Sequence, residues 1–273
     1  MDKKKLLVGI GIASVAVPFF MLCPARASAR QKATFKGVNY AHRGLHTRDK
    51  VIPENSLSAF ALAAEKGYAV ELDVQLTKDG HVVVFHDETL DRVCSVEGKI
   101  CDFTYNELKK FRLCGTDQVI PLFTDVLDVI NGRSAILCEL KTCGKRNREL
   151  CEKTYEFISG YSGDVCIESF DPFILRWFRL HASDMLRGQL AAPRSEYEGS
   201  SAGKVGGFLL SRCLMNFIGR PQFIAYKIGP RPLAVKLACL LGAMKFGWTS
   251  HEPRNEENYD SVIFEYYKPK LKL

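Results

Sequence analysis

Acidic side chains between Tyr40 and Arg92 have a spacing that favours a metal site. The sequence E-L-D places Glu71 and Asp73 two residues apart in a run of strand-forming residues. Because successive side chains of a strand point to opposite faces, both carboxylates share one face, where a cation offsets their mutual repulsion. Carboxylate oxygens are ligands for hard cations, so the pair predicts a Mg²⁺ or Ca²⁺ site.

A third carboxylate and several basic groups extend this candidate site. In the run A-I-L-C-E-L-K, Glu139 and Lys141 share one face of a second apolar strand. His42 and His86 bracket the acidic pair in the sequence, and imidazole is the side chain that titrates nearest to neutral pH. The sequence therefore predicts a cation site with acid–base groups beside it.

Five short motifs, in order, resemble those of the glycerophosphodiester phosphodiesterases. They are H-R-G, P-E-N, E-x-D followed by T-K-D-G, H-D, and E-x-K. A lone H-R-G is weak evidence, whereas the five together are specific. The resemblance extends from about Tyr40 to the end of the chain and weakens after Phe170.

The resemblance implies roles for the residues of these motifs. It assigns the metal to Glu71, Asp73 and Glu139, and it makes His42 and His86 the catalytic pair without indicating which is the base and which the acid. Cleavage of a phosphodiester needs such a set, because the phosphoryl charge must be neutralised and a proton must move on each side of the reaction.

Five further residues are expected to support substrate or metal binding. Arg43 and Lys141 are candidate phosphate ligands, the first through its bidentate fork and the second as a point charge. Glu54 and Asn55 match the P-E-N motif and are expected to lie behind the metal ligands. Trp248, in F-G-W-T-S, matches a W-T strand of the family and is expected to form a wall of the glycerol pocket.

The end of the chain departs from the family pattern. The usual T-D-x-P is replaced by I-F-E-Y-Y-K-P, and W-T-V-N is replaced by W-T-S-H. Both differences fall where the far side of the pocket is expected. The headgroup preference is therefore left open.

Beyond its first 36 residues, the chain has the length and pattern of a single α/β barrel. Roughly 235 residues suit one domain of this type, and no repeat or long linker divides them. Apolar, β-rich runs alternate with helical patterns and give nine candidate strands: 38–41, 69–74, 82–85, 135–140, 165–169, 189–191, 223–226, 245–248 and 262–264. We expect a TIM-type (β/α)8 barrel over residues 37–273.

The ninth strand is explained by a hairpin. Asp79 and Gly80 form a strong turn signal, and the step from Asp73 to His86 contains no helical segment for a parallel crossover. We expect residues 82–85 to pair back on the preceding strand, which brings His86 beside Asp73. Residues from about 75 to 118 then form a small insertion at the catalytic mouth.

Two helix starts are also predicted. Asn55 is a candidate N-cap for a helix over 57–66 that ends at Gly67. Thr104 and Glu107 are spaced as a capping box for a helix that extends to Leu113.

Residues 1–36 form a basic and apolar leader. Three lysines precede the uncharged run 6–22, which exceeds a signal core of about 7–15 residues and almost spans a bilayer. This favours an N-terminal apolar helix that anchors the protein over a secretory signal cleaved near Ala27 or Ala29. We expect a membrane-anchored, extracytoplasmic catalytic domain, which is secreted if the leader is cleaved.

The distribution of net charge along the chain limits the kinds of macromolecule that the barrel can bind. Seven Lys and Arg residues against Asp2 give the leader a net charge of +6, which leaves about +1 of the formal +7 for the barrel. A nucleic-acid partner requires a basic face on the folded domain, so the near-neutral barrel argues against one. The basic leader suits anionic lipid.

The ten cysteines include no C-x-x-C pair, which argues against a zinc or dithiol site. In an extracytoplasmic domain, Cys94, Cys101 and Cys114 are the expected candidates for pairing.

Together, these features predict a metal-dependent enzyme that releases an alcohol and glycerol 3-phosphate from a glycerophosphodiester. One alternative is a phospholipase D-like activity on lysolipids or sphingolipids, which uses the same plan of two histidines and three carboxylates. A second alternative is a non-catalytic barrel that binds glycerophosphoryl groups. Loss of a core residue would favour the second alternative, and none is lost.

Overall fold

A closed barrel of eight parallel strands forms the centre of the protein. The computed structural model describes residue 17 and residues 19–271. The strands are β1 (Tyr40–Ala41), β2 (Ala69–Leu76), β3 (Val82–Val84), β4 (Ile136–Leu140), β5 (Val165–Ser169), β6 (Arg187–Ala191), β7 (Phe223–Lys227), β8 (Met244–Ser250) and β9 (Ser261–Phe264). All except β3 pair in parallel around the ring, which closes where β1 pairs with both β2 and β9. The TIM-type barrel is confirmed.

Helices cover the outside of this barrel. In chain order they are α1 (Ala29–Phe35), α2 (Leu57–Glu65), α3 (Asp91–Cys94), α4 (Tyr105–Leu108), α5 (Phe123–Ile130), α6 (Asn147–Ser159), α7 (Pro172–His181), α8 (Gly203–Ser211), α9 (Asn216–Gly219) and α10 (Leu233–Leu240). The larger helices lie on the crossovers between parallel strands, as a right-handed barrel requires.

The alternation along β2 explains how the barrel presents polar groups. Val70, Leu72 and Val74 belong to the main apolar core, which also contains residues of α2, α5 and α7. Their neighbours Glu71 and Asp73 must point the other way, into the barrel, because side chains alternate along a strand. A strand buried on both faces therefore carries its carboxylates inward.

The predicted hairpin is confirmed. β3 pairs antiparallel with β2, with Val74 opposite Val84 and Leu76 opposite Val82. The turn is closed by a hydrogen bond from the Gly80 N–H to the Thr77 carbonyl at 3.1 Å, and Gly80 has a φ of +82°. The insertion that follows has its own small apolar core, composed of Val83, Phe85, Leu90, Val93, Ile100, Leu108, Leu113 and Ile120.

Both helix-start predictions need correction in detail. Ser56, rather than Asn55, caps α2, because its side chain accepts a hydrogen bond from the Ala59 N–H. The capping box of Thr104 and Glu107 is present, but α4 ends at Leu108 rather than at Leu113. Asn55 and Ser56 are adjacent and both are residue types that cap helices, but the Asn55 side chain binds Asp73 instead of the start of α2.

The described part of the leader packs against the barrel. Phe35 and Ala27 are buried in a cluster with Phe223 and Phe246, at the amino ends of the strands. The Phe35 carbonyl also accepts a hydrogen bond from the Ser261 hydroxyl at 3.1 Å. A truncated barrel should therefore retain α1 rather than begin at residue 37.

The N-terminal apolar helix predicted over 6–22 falls mostly outside the described residues. Within the described part, residues 19–22 are helical. No helix in residues 19–271 has the length and hydrophobicity needed to cross a bilayer.

All ten cysteine side chains lie in the described part of the chain as free thiols. The pairing proposed for Cys94, Cys101 and Cys114 is therefore not formed in this structure.

Phe35→Ala tests the packing of α1 on the barrel. Loss of a buried phenyl ring leaves a cavity, so we expect the free energy of unfolding to fall by about 3–5 kcal/mol. Denaturant unfolding measures the change. Phe173→Ala is the matched control, since that side chain is 58% exposed and its loss should cost little. Equal effects of the two substitutions would contradict a structural role for α1.

Candidate active site

A cavity of about 660 Å³ opens at the carboxyl ends of the strands. Its lining includes His42, Glu71, His86, Glu139, Glu168 and Trp248. The active sites of TIM-type barrels lie at this end, because the loops that follow neighbouring strands bring residues that are distant in sequence close together. The structure therefore brings most of the predicted site residues to one mouth.

The three predicted metal ligands form one cluster. One carboxylate oxygen each from Glu71, Asp73 and Glu139 lies within 4.8 Å of the others. Strand register produces this arrangement, because Asp73 on β2 is directly paired with Glu139 on β4. All three residues are buried.

Burial and crowding perturb these carboxyl groups in different directions. Burial, with Asp73 and Glu139 nearby, raises the pKa of Glu71 well above its usual value. Burial likewise raises the pKa of Glu139, although Lys141 opposes the shift. Burial would also raise the pKa of Asp73, but Lys141, His86 and Arg43 together hold it well below the usual value. Ionisation of all three groups thus needs more positive charge than the side chains supply.

Lys141 and Arg43 supply part of that charge. The Lys141 Nζ lies 2.8 Å from Asp73 Oδ1 and 2.7 Å from Glu139 Oε1. The Arg43 Nε lies 3.7 Å from Asp73 Oδ2, while its Nη1 donates to Glu54 Oε1 at 2.7 Å. Arg43 lines the cavity and Lys141 does not. In this structure, both bind the carboxylates.

The donor set fits a hard divalent cation. Mg²⁺ and Ca²⁺ take oxygen ligands, and the cluster offers three carboxylates. Asn55 lies beside it and donates from Nδ2 to Asp73 Oδ2 at 2.8 Å. The Asn55 amide oxygen is buried without a hydrogen-bond partner in the described residues, so a further oxygen is left for a cation or its water. Asn55 thus contacts Asp73 directly, at the edge of the cluster.

His42 is fixed by a residue that the sequence analysis did not identify. Its Nδ1 lies 2.6 Å from Glu265 Oε1, and His46 Nε2 lies 3.4 Å from the same oxygen. Burial lowers the pKa of His42 to about 4, so the neutral ring donates its Nδ1–H to Glu265. The other nitrogen, Nε2, lies 3.9 Å from Glu71 Oε2, beside the carboxylate cluster.

His86 is held in a similar way by Asp87. Its Nδ1 lies 2.7 Å from Asp87 Oδ1. Arg92 then bridges two carboxylates, because its Nε donates to Asp87 Oδ2 at 2.6 Å and its Nη1 donates to Glu54 Oε2 at 2.8 Å. Since Glu54 also binds Arg43, a continuous chain of charged groups connects His86 to Arg43.

The H-R-G motif shapes the backbone under this network. Gly44 has a φ of +79°, and a Cβ at this position would lie 2.8 Å from the Ala59 Cβ on α2. Arg43 and Asn55 also have positive φ, although neither is glycine. Two contacts hold them there: the Arg43 N–H donates to Glu71 Oε2 at 2.9 Å, and the Asn55 N–H donates to the Arg43 carbonyl at 2.9 Å. Such conformations concentrate at functional sites.

Trp248 and Phe170 form an apolar wall of the cavity. Their rings meet edge to face with centroids 5.8 Å apart, and the Trp248 Nε1–H donates to the Ala225 carbonyl at 3.0 Å. The predicted position of Trp248 in the pocket therefore agrees with the structure. Beside this wall, Glu168 is buried, and burial raises its pKa well above the usual value.

Sequence reasoning missed Glu265, Arg92 and Glu168. Glu168 and Glu265 each stand at the carboxyl end of an apolar strand, a position that signals a site residue in this type of barrel. Glu265 lies in I-F-E-Y-Y, which differs from the family pattern, so no motif marks it. Arg92 follows H-D at a spacing that carries no recognised signal.

Comparison with known proteins agrees with the motifs. The model of the glycerophosphoryl diester phosphodiesterase family matches residues 42–255. A glycerophosphodiester phosphodiesterase of Caldanaerobacter subterraneus is 39% identical over 146 residues, which cover 50% of this chain and 59% of the relative. The chain thus spans a little more than half the length of the curated relatives that it matches first, at 59% and 57%.

Solved structures share the fold over a greater length. A glycerophosphodiester phosphodiesterase from Thermotoga maritima is 27% identical, with a TM-score of 0.60, and the match covers 83% of this chain and 93% of the other. An Oleispira antarctica phosphodiesterase, solved with its product sn-glycerol-3-phosphate, has a TM-score of 0.68 at 21% identity, with 84% and 93% covered. At that identity the second likeness concerns the fold alone.

Glu139→Gln tests whether the carboxylate cluster binds the cation. Replacing a charged ligand with an amide should weaken Mg²⁺ or Ca²⁺ binding at least tenfold, as measured by calorimetry, while thermal unfolding stays cooperative. Glu168→Gln is the matched control, since it removes a neighbouring buried carboxylate outside the cluster. Equal losses of affinity in the two variants would show that the cation binds elsewhere.

Proposed function

Because the chain belongs to the glycerophosphoryl diester phosphodiesterase family, we propose that it hydrolyses a glycerophosphodiester to an alcohol and glycerol 3-phosphate. The observation that carries this proposal is the pair of histidines at the cavity, each bound through Nδ1 to a carboxylate, with the cluster of Glu71, Asp73 and Glu139 beside them. Two imidazole rings held in this way can act as a general acid and a general base beside a bound phosphate.

Substrate binding is proposed to begin with the phosphate. When bound by Glu71, Asp73 and Glu139, a divalent cation neutralises charge on the phosphoryl oxygens and polarises the phosphorus. Arg43 already lines the cavity, and its buried Nε has no hydrogen-bond partner in the described residues. We therefore assign Arg43 to a phosphoryl oxygen, and Lys141 to charge balance within the cluster.

The two histidines then divide the proton transfers. One accepts the proton of the attacking hydroxyl at Nε2 while the new P–O bond forms. The other donates a proton to the departing alkoxide as the old P–O bond breaks. Glu265 and Asp87 hold the two rings so that each Nε2 remains available. The attacking group is either water or the neighbouring glycerol hydroxyl, which gives a cyclic phosphate that water opens.

A specific observation favours lysolipids as a second candidate substrate. A largely apolar cavity of about 560 Å³ adjoins the first and shares Phe170, Glu196 and Trp248 with it. Leu210, Met215 and Phe173 contribute to its lining. An acyl chain attached to the glycerol could lie there while the phosphate remains at the carboxylate cluster.

The leader is proposed to keep the protein at a membrane. Its uncharged run over 6–22 almost spans a bilayer. Ala27 is buried in the folded protein and the Ser28 hydroxyl caps α1, which supports retention of these residues over removal with a signal peptide. The catalytic domain is then extracytoplasmic, or secreted if the leader is cleaved.

A product assay on a substrate panel tests the proposed activity. We expect glycerol 3-phosphate from glycerophosphocholine, glycerophosphoethanolamine or glycerophosphoglycerol, and loss of turnover in excess chelator because the carboxylate cluster is then empty. Lysophosphatidylcholine in the same panel tests the second candidate substrate, since a phospholipase D-like hydrolysis of this lysolipid yields lysophosphatidic acid. Turnover that survives exhaustive chelation would reject the metal, and no product from any substrate would favour the non-catalytic barrel.

His42→Ala and His86→Ala test the two proton transfers. Each should lower kcat by roughly 10²–10⁴ with little change in KM, as expected for a lost general acid or base. A nitrophenyl ester needs no protonation of its leaving group, so it should restore turnover to the variant that lacks the acid and not to the other. Near wild-type kcat in His86→Ala would rule out its catalytic role.

Glu265→Gln tests whether this residue positions His42. Loss of the charged hydrogen-bond partner should lower kcat about 10–100-fold with KM unchanged. In a His42→Ala background the same substitution should have no further effect, because the ring that it orients is absent. Full additivity of the two changes would instead indicate that Glu265 acts independently of His42.

A further inference from the structure

Although the net charge of the barrel is near zero, one segment of it is strongly basic. Between Glu198 and Glu252 the sequence contains no Asp or Glu, but it contains seven basic residues: Lys204, Arg212, Arg220, Lys227, Arg231, Lys236 and Lys245. This segment includes β6–β7 and β7–β8 crossovers with helices α8, α9 and α10. One flank of the barrel is therefore basic, and the acidic residues lie elsewhere.

Most of these cations have no acidic partner. Lys227 pairs with Glu196 at 2.7 Å, and the Lys245 Nζ lies 3.5 Å from the Asn258 carbonyl. Among the described residues, the other five make no ion pair. Arg212 lies over the Phe208 ring and Arg231 over the Tyr259 ring instead.

Helix α10 and the residue that follows the end of α8 meet over β7. Val235 and Ala238 of α10 pack on the outer face of β7 against Ile224 and Tyr226. Cys213, which follows α8, belongs to the same buried cluster. Since the end of α8 and α10 share this cluster, the outward faces of the two helices lie on the same side of the barrel.

That surface is apolar as well as basic. On α10, Leu233, Leu237 and Leu240 are 71%, 40% and 82% exposed, and on α8 Val205 is 74% exposed. Phe208 of α8 is exposed too. Crossover helices of a barrel ordinarily turn polar residues outward, so exposed apolar side chains in two neighbouring helices mark an interaction surface.

The leader reaches the same flank. The Phe20 and Phe217 rings contact each other at an interplanar angle of 35° with centroids 5.6 Å apart, and the Arg220 guanidinium lies over Phe20. Asn216 and Arg220 donate hydrogen bonds to the Leu22 and Cys23 carbonyls at 3.1 and 2.7 Å. The described end of the segment predicted to enter a membrane therefore contacts α9, which lies between α8 and β7 in the sequence.

We propose that the outward face of α8 and α10 lies on the surface of an anionic lipid bilayer. Leucine side chains enter the acyl boundary while lysine and arginine head groups reach the phosphates, which is the pattern of an interfacial helix. A second copy of the chain fits less well, because a symmetric contact would place the basic residues of one copy against those of the other. A nucleic acid offers no partner for exposed leucines.

The inference is independent of the proposed hydrolase activity, since the exposed apolar residues of α8 and α10 and the cations Lys204 and Lys236 do not line the catalytic cavity. It gives the barrel a fixed orientation, with one side on the bilayer. The apolar cavity lined by Gly206 and Leu210 of α8 lies on this side.

Fluorescence quenching in the full-length chain tests the orientation. A tryptophan placed by Leu240→Trp reports on the α10 face, and the signal of Trp177 and Trp248 is subtracted by using the unsubstituted chain. The probe is a vesicle of brominated phosphatidylcholine, with or without phosphatidylglycerol, into which the full-length chain is reconstituted. Asp128→Trp on α5, on the opposite side of the barrel, is the matched control, because the leader brings it to the same vesicles.

We expect the Leu240→Trp reporter to be quenched in the presence of phosphatidylglycerol and the Asp128→Trp reporter not to be. Adding Lys204→Gln and Lys236→Gln should shift the docking equilibrium by roughly fivefold per lost charge at low salt. Equal quenching of the two reporters, no quenching of either, or quenching independent of phosphatidylglycerol would overturn the proposal. A blue shift of the Leu240→Trp reporter that follows protein concentration without lipid would identify a second copy as the occupant instead.

Discussion

The central constraint on this protein is the burial of three carboxylates at one point inside the barrel. Taking even one unpaired carboxylate out of water costs several kcal/mol, and three in contact also repel one another. The strands bring them together because Asp73 and Glu139 are paired in register. The Arg43 N–H and the Asn55 amide donate to Glu71 and Asp73, and the Lys141 ammonium lies between Asp73 and Glu139. Much of the catalytic mouth can be understood as a response to this concentration of negative charge.

That response also connects the two histidines to the cluster. On one side, Glu265 holds His42 beside Glu71. On the other, the chain of Arg43, Glu54, Arg92 and Asp87 ends at His86. The two histidines and the carboxylate cluster are therefore not separate modules, because a change in charge at the cluster acts on both rings. Charge is also unevenly distributed over the whole barrel. Acidic residues surround the mouth, whereas one flank of the barrel is basic and apolar.

The sequence predicted the barrel and the hairpin well, because alternation along β2 and the Asp79-Gly80 turn are local signals. It also predicted the cluster of carboxylates, since an i, i+2 spacing on a strand fixes a common face. It failed where the partner is distant or where two residues compete locally. Glu265 lies 223 residues after His42, so no local pattern joins them. Asn55 and Ser56 can both cap α2, and only the buried position of Asp73 decides that Asn55 turns inward. Phe35 packs against residues from several strands that come together only when the barrel closes, so no local pattern predicts its burial.

Anomalous diffraction from crystals grown with Mn²⁺ and glycerol 3-phosphate would show whether the buried carboxylates bind a cation beside the phosphate. Mn²⁺ shares the oxygen preference of Mg²⁺ and Ca²⁺ and is visible by its own signal. We expect one peak with an oxygen of Glu71, Asp73 and Glu139 at about 2.0–2.6 Å, and with the phosphate of the ligand beside it. A peak elsewhere, or none at these carboxylates while glycerol 3-phosphate is bound in the cavity, would contradict the claim that the buried cluster exists to hold a cation.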